Sequence, residues 1–129
     1  AAGRDKEVLI VDDDAATRTL FRRLLTREGW HVREAADGKR ALAQLESHRP
    51  TLMVLDIMMP NVDGFDVLKS VRAHEGLRDL PVIVVTSKDL TRDEMDWLKS
   101  HAGEVILKGE TGRSDLLAAL KRHVPEAPR

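Results

Sequence analysis

The chemistry-bearing residues of this chain sit directly after short apolar runs. Asp12, Asp13 and Asp14 follow Val8 to Val11, and Asp56 follows Leu52 to Leu55. Thr86 follows Val82 to Val85, and Lys108 follows Val105 to Leu107. If those runs lie side by side, several carboxylates meet at one rim. Like charges so close repel, and unless one takes a proton the cluster is stable only when a cation or a basic side chain joins it. Hard carboxylate oxygens with open positions suit Mg2+, which keeps water ligands and accepts a phosphoryl oxygen. The Thr86 hydroxyl can donate to such an oxygen, and the Lys108 ammonium, on its long stem, can reach back to neutralise charge. An acceptor carboxylate, a metal pocket, a hydroxyl and an ammonium make a phosphoryl-transfer set.

These groups need a scaffold that brings the ends of the runs together. Each run is too short for a helix, rich in β-branched residues or leucine, and without polar alternation, as expected of parallel strands covered on both faces. A fifth run, Trp30 to Ala35, mixes His31, Arg33 and Glu34 with Val32 and so belongs at a sheet edge. Between the runs lie helical stripes. Leu20, Phe21, Leu24 and Leu25 share one face, with Arg18, Arg22 and Arg23 around it as a solvated face and Gly29 where a helix ends. Asp37 is placed to cap a helix carrying Ala41, Leu42 and Leu45, and Asp63 one carrying Val67, Leu68 and Val71. Thr91 and Glu94 form a capping box before Met95 and Leu98, and Ser114 is expected to cap a last helix with Leu116, Leu117, Leu120 and Val124. Asp14, next to Ala15, reads as the cap of the first helix rather than a metal ligand.

Five strand-helix units predict a single doubly wound α/β domain with a parallel five-stranded sheet in the flavodoxin-like order 2-1-3-4-5. That order puts the polar strand at an edge and the ligand crevice at the carboxyl ends of strands one and three. The expected division is a disordered, tag or linker remnant over 1–6, the domain over 7–124 and a tail over 125–129. With 129 residues there is room for one core, and 42% hydrophobic residues supply it. A formal net charge of -1 offers no field for nucleic acid or an anionic membrane, so neither is expected as a direct partner. No apolar run has the length of a membrane span. The absence of cysteine removes thiol and disulfide chemistry and fits a reducing cytoplasm. The five histidines are scattered without ligand spacing and read as surface residues. Trp97 lies off its helix stripe, either partly packed or a contact residue.

The strings VLIVDDDAATRTLFRRLL, LMVLDIMMPNVDGFDVL, PVIVVTS and VILKGE resemble the receiver domain of response regulators in two-component systems, over essentially the whole chain. The resemblance implies that Asp56 takes a phosphoryl group from a phosphohistidine. It implies that Asp13, Asp56 and the backbone carbonyl of Met58 hold Mg2+, with Asp12 acting largely through water, and that Thr86 and Lys108 bind the phosphoryl group. It implies a sensor histidine kinase or a histidine phosphotransfer protein as partner. It also implies a switch in conformation, and no enzyme activity beyond slow self-phosphorylation and self-dephosphorylation. The Met59-Pro60 step and Gly64 belong to the family's loop after the acceptor. The segments PVIVVTSKDLTRDEMDWL and VILKGETGRSDLL are most similar to receivers of hybrid sensor kinases, which points to a domain from a longer chain.

Three positions depart from the family. Gly109 replaces the usual Pro after the lysine, so the Lys108-Gly109 bond is expected to be trans, since a non-proline cis bond costs roughly 2.5 to 4 kcal/mol. Val105 stands where a Tyr or Phe normally swings inward, which predicts weak coupling of Thr86 to the distal helix face. Ser87 is larger than the usual Ala or Gly. Two rival readings remain. One is a phosphatase similar to the haloacid dehalogenases with Asp12 as nucleophile, although Ala16 replaces its Thr and no later acidic pair completes its metal site. The other is a degenerate receiver that serves only for docking.

Overall fold

The computed structural model describes residues 6–59, 63–86, 90–107 and 112–123. Strands β1 (Glu7–Val11), β2 (His31–Ala35), β3 (Leu52–Asp56), β4 (Val82–Thr86) and β5 (Glu104–Leu107) alternate with helices α1 (Ala15–Arg27), α2 (Gly38–Ser47), α3 (Gly64–Ala73), α4 (Arg92–His101) and α5 (Gly112–His123). The strands form one parallel sheet in the order β2-β1-β3-β4-β5, as expected from the polar edge strand.

The pleat sorts each strand's side chains onto two faces. Leu9, Val11, Met53, Leu55, Val82 and Val84 pack with Ala41 and Leu45 of α2, Val67, Leu68 and Val71 of α3, and Leu98 of α4. Their alternates Val8, Ile10, Leu52, Val54, Ile83 and Val85 pack with Phe21 and Leu25 of α1 and Leu116 and Leu120 of α5. Covering both faces is what makes continuous apolar runs of the central strands.

The helix boundaries follow their caps. Asp14 accepts from the Ala16 amide, Asp37 from Arg40 and Asp63 from Asp66, and Thr91 with Glu94 closes a reciprocal capping box. Gly29 follows α1 at φ 91°, a conformation that costs other residues steric strain. Ser114 is not the cap of α5: the helix already begins at Gly112, so Ser114 lies inside its first turn. The strands reach one polar residue beyond several apolar runs, taking in Glu7, Asp56, Thr86 and Glu104.

The outer layer between α3 and α4 is tied by one arginine. The Arg72 Nε donates to the carbonyl of His101 at 2.7 Å, and its Nη1 donates to those of Arg78 at 3.0 Å and Leu80 at 2.8 Å. Burial pulls the guanidinium pKa below its ordinary value, and the Asp79 carboxylate opposes that shift. His101 is half-buried rather than a free surface residue, with its ring stacked on Trp97 at 4.0 Å. Trp97 is half-buried and also meets Phe65 at 5.8 Å, which gives its off-stripe position a packing role. Replacing Arg72 by Ala removes three hydrogen bonds to main-chain carbonyls and is expected to destabilise the fold by about 2 kcal/mol. Urea unfolding checks this, and an unchanged midpoint would show that water replaces the guanidinium at no cost.

Candidate functional site

Register places the acidic residues side by side. Val11 pairs with Leu55, so Asp12 and Asp56 leave neighbouring strands at the same height, and Asp56 in turn pairs with Val85, one residue before Thr86. Thr86 pairs with Leu107, the residue before Lys108. Carboxylate oxygens of Asp12, Asp13 and Asp56 lie within 4.8 Å of one another. Asp12 and Asp56 are each 2% exposed and Thr86 is fully buried, whereas Asp13 is open to solvent. These are the only buried polar or charged side chains among the described residues. Lys108, Pro60, Ser87 and the Lys108-Gly109 bond lie outside the described residues.

Local hydrogen bonds hold the rim. The Asp14 amide donates to Asp12 Oδ1 at 2.9 Å, and the Met58 amide donates to Asp56 Oδ1 at 3.1 Å. The Asp12 amide donates to the carbonyl of Ala35 on β2, and the Ile57 amide to that of Val85 on β4. The Asp14 side chain turns to helix α1, also accepting from the Thr17 hydroxyl at 2.6 Å, and so performs the capping role read from its position. Met58 is half exposed beside the site. Val105 is half-buried against the core face that carries α4.

Gly64 has a more specific task than the loop role expected of it. It is the first residue of α3, its amide donates to the Ile57 carbonyl at 3.2 Å, and a Cβ there would stand 2.5 Å from Ile57 Cα and 2.6 Å from the Asp56 carbonyl oxygen. Only a residue without a side chain lets α3 start this close to the end of β3. Sequence reasoning also missed Arg18. It belongs to the arginine group assigned to solvent, but its side chain is only 18% exposed, and its Nη1 donates to the Asp12 carbonyl at 2.7 Å.

A flavodoxin-like sheet with buried acidic groups at its carboxyl edge, next to a buried threonine, is a domain built to gather charge at the crevice between its first and third strands. The chain belongs to the response regulator receiver domain family, whose model matches residues 8–121. It is 38% identical over 106 residues to the transcriptional regulatory protein AfsQ1 of Streptomyces coelicolor, covering 82% of this chain and 46% of that protein. The chain thus spans about half the length of that relative. Among solved structures, it is similar to the receiver domain of the sensor histidine kinase PA1611 from Pseudomonas aeruginosa, described with a magnesium ion coordinated in its active site cleft. That likeness has a TM-score of 0.82 and 28% identity, over 92% of this chain and 97% of the other. It is also similar to the response regulator TrrA of Thermotoga maritima in complex with Mg2+ and BeF, with a TM-score of 0.80 and 28% identity, over 92% and 98% of the two chains. The phosphatase reading loses its ground, since the family is that of receivers and Asp14, its second acid, caps a helix.

Gly64→Ala is expected to cost about 1 to 3 kcal/mol, because the atoms opposing the new methyl are backbone that must shift. Amide NMR shifts should spread through Asp56, Ile57 and Met58. A variant with wild-type urea midpoint and unmoved shifts at those three residues would contradict the close-packing role.

Proposed function

We propose that this domain is the phosphoacceptor of a two-component or phosphorelay system, with Asp56 as the residue modified. The carrying observation is the meeting of the Asp12, Asp13 and Asp56 carboxylates within 4.8 Å at the strand ends, beside buried Thr86. Three hard oxygen donors with a solvent-open member fit Mg2+, which would be held by Asp12, Asp13, Asp56 and the Met58 carbonyl. When bound, the ion supplies positive charge for the phosphoryl oxygens and offsets the repulsion between carboxylates.

The chain's own groups then have separate tasks. An Asp56 carboxylate oxygen attacks phosphorus, an acyl phosphate bond forms, and the donor's phosphorus-nitrogen bond breaks with its electron pair leaving on the imidazole. Thr86 donates its hydroxyl to a phosphoryl oxygen, and Lys108 offers its ammonium to the same group. Burial of Asp56 limits water at the acceptor, so hydrolysis should be slow and the phosphoryl group should persist as a signal. Activity is therefore confined to slow self-phosphorylation and self-dephosphorylation. The partner is a sensor histidine kinase or a histidine phosphotransfer protein, met in the cytoplasm, with 7–124 as the receiver unit, either free-standing or within a longer hybrid kinase chain. Direct contact with nucleic acid or membrane forms no part of this reading.

Incubation with acetyl phosphate and Mg2+, followed by mapping of the modified residue, tests it. Acyl phosphate is expected on Asp56, with labelling lost in Asp56→Asn. Modification at Asp12 would transfer the acceptor role there, and a wild-type chain that takes no label under any Mg2+ concentration would leave a docking module only.

A further inference from the structure

The Asp12 main chain is gripped from several sides. Its amide donates to Ala35 on the edge strand, its side chain receives the Asp14 amide, and its carbonyl receives Arg18 Nη1 at 2.7 Å. That carbonyl belongs to the peptide joining Asp12 to Asp13. Fixing its oxygen fixes the peptide plane, and with it the position of the Asp13 Cα from which the side chain projects. Asp13 is exposed, so core packing does not aim its carboxylate. The backbone that carries it is what the fold can hold in place.

Arg18 is itself held by the edge strand. Its Nε donates to Glu34 Oε1 at 3.1 Å, while Arg22 one turn further along α1 donates to Glu34 Oε2 at 2.6 Å. The Glu34 carbonyl receives Gln44 Nε2 from α2 at 2.8 Å. The guanidinium thus spans two fixed acceptors, a carboxylate on β2 and a carbonyl at the end of β1, which suits the planar fork of arginine and not the single ammonium of lysine.

On the reading of the acidic rim as a Mg2+ site, we propose that Arg18, oriented by Glu34, is a positioning residue that sets the Asp12-Asp13 peptide and thereby presents the Asp13 carboxylate to the metal. The sign of its effect separates this from simple electrostatics. A cationic side chain beside a cation site should weaken Mg2+ binding through repulsion, so charge alone makes removal of Arg18 tighten the site. Positioning makes removal loosen it, as loss of groups that orient metal ligands typically does by roughly 10- to 100-fold.

Isothermal titration of the whole chain with MgCl2 at fixed ionic strength reads the effect, with the metal-free urea midpoint of each variant confirming a folded protein. Arg18→Ala is expected to raise the Kd for Mg2+ about 10-fold, and Glu34→Gln to raise it less. Arg18→Lys keeps the charge and most of the stem but cannot span both acceptors, so it too should bind Mg2+ several-fold more weakly. If Arg18→Ala does not fold, the lysine variant decides the matter. A Kd equal to or below that of wild type in the folded Arg18 variants overturns the positioning role while leaving the metal reading intact. A wild-type chain that takes up no Mg2+ overturns both.

Discussion

Repulsion among carboxylates at one sheet edge is the constraint around which the rest of this domain is arranged. Asp12, Asp13 and Asp56 offer oxygens within 4.8 Å of one another, and two of the three are removed from solvent. The surrounding fold brings these like charges together. Apolar burial on both faces of the sheet supplies the driving force, since parallel strands covered by helices place their carboxyl ends at one rim whatever residues stand there. The register Val11 to Leu55 then brings Asp12 and Asp56 together. Gly64 lets α3 start against the Asp56 backbone, and the amides of Asp14 and Met58 donate to Asp12 and Asp56. Stability supplied by the core holds the three carboxylates together at the rim, where a cation can be bound.

Residue type alone was enough for much of this. Continuous apolar runs gave away strands buried on both faces, and the polar character of His31, Arg33 and Glu34 identified the edge strand. Caps at Asp14, Asp37, Asp63 and Thr91 were legible because a short oxygen-bearing side chain before a helix satisfies amides within its own first turn, a local interaction that sequence spacing encodes. Polar residues ending strands were harder. Asp56 and Thr86 continue their ladders because the backbone pairs regardless of side chain, and a search for apolar runs stops one residue early.

What the sequence concealed were interactions between elements distant along the chain. Arg18 looks like one of several arginines around an apolar stripe, and only the approach of β2 to α1 reveals that it meets both Glu34 and the Asp12 carbonyl. Arg72 reads as a helix-surface charge, yet it collects carbonyls from the end of α4 and from the turn before β4. The stacking of His101 on Trp97 follows from i and i+4 spacing on α4, a signal that was present but indistinguishable from a solvated face until α3 was placed alongside. Ser114 shows the opposite error, a plausible local cap overruled by a helix that starts earlier.

The central claim, that the acidic rim is a Mg2+ site in which like charges meet, is tested most directly by thermal unfolding of the metal-free chain as Mg2+ is added, with Asp13→Asn alongside. Binding to the folded state alone should stabilise the wild type by about 2.7 kcal/mol at a hundredfold excess over Kd, raising its Tm by roughly 10 °C. The Asp13→Asn chain, with one repelling charge removed, should melt higher than wild type in the absence of metal and respond little to Mg2+. A wild-type Tm indifferent to saturating Mg2+, together with a metal-free Asp13→Asn variant no more stable than wild type, would contradict the account.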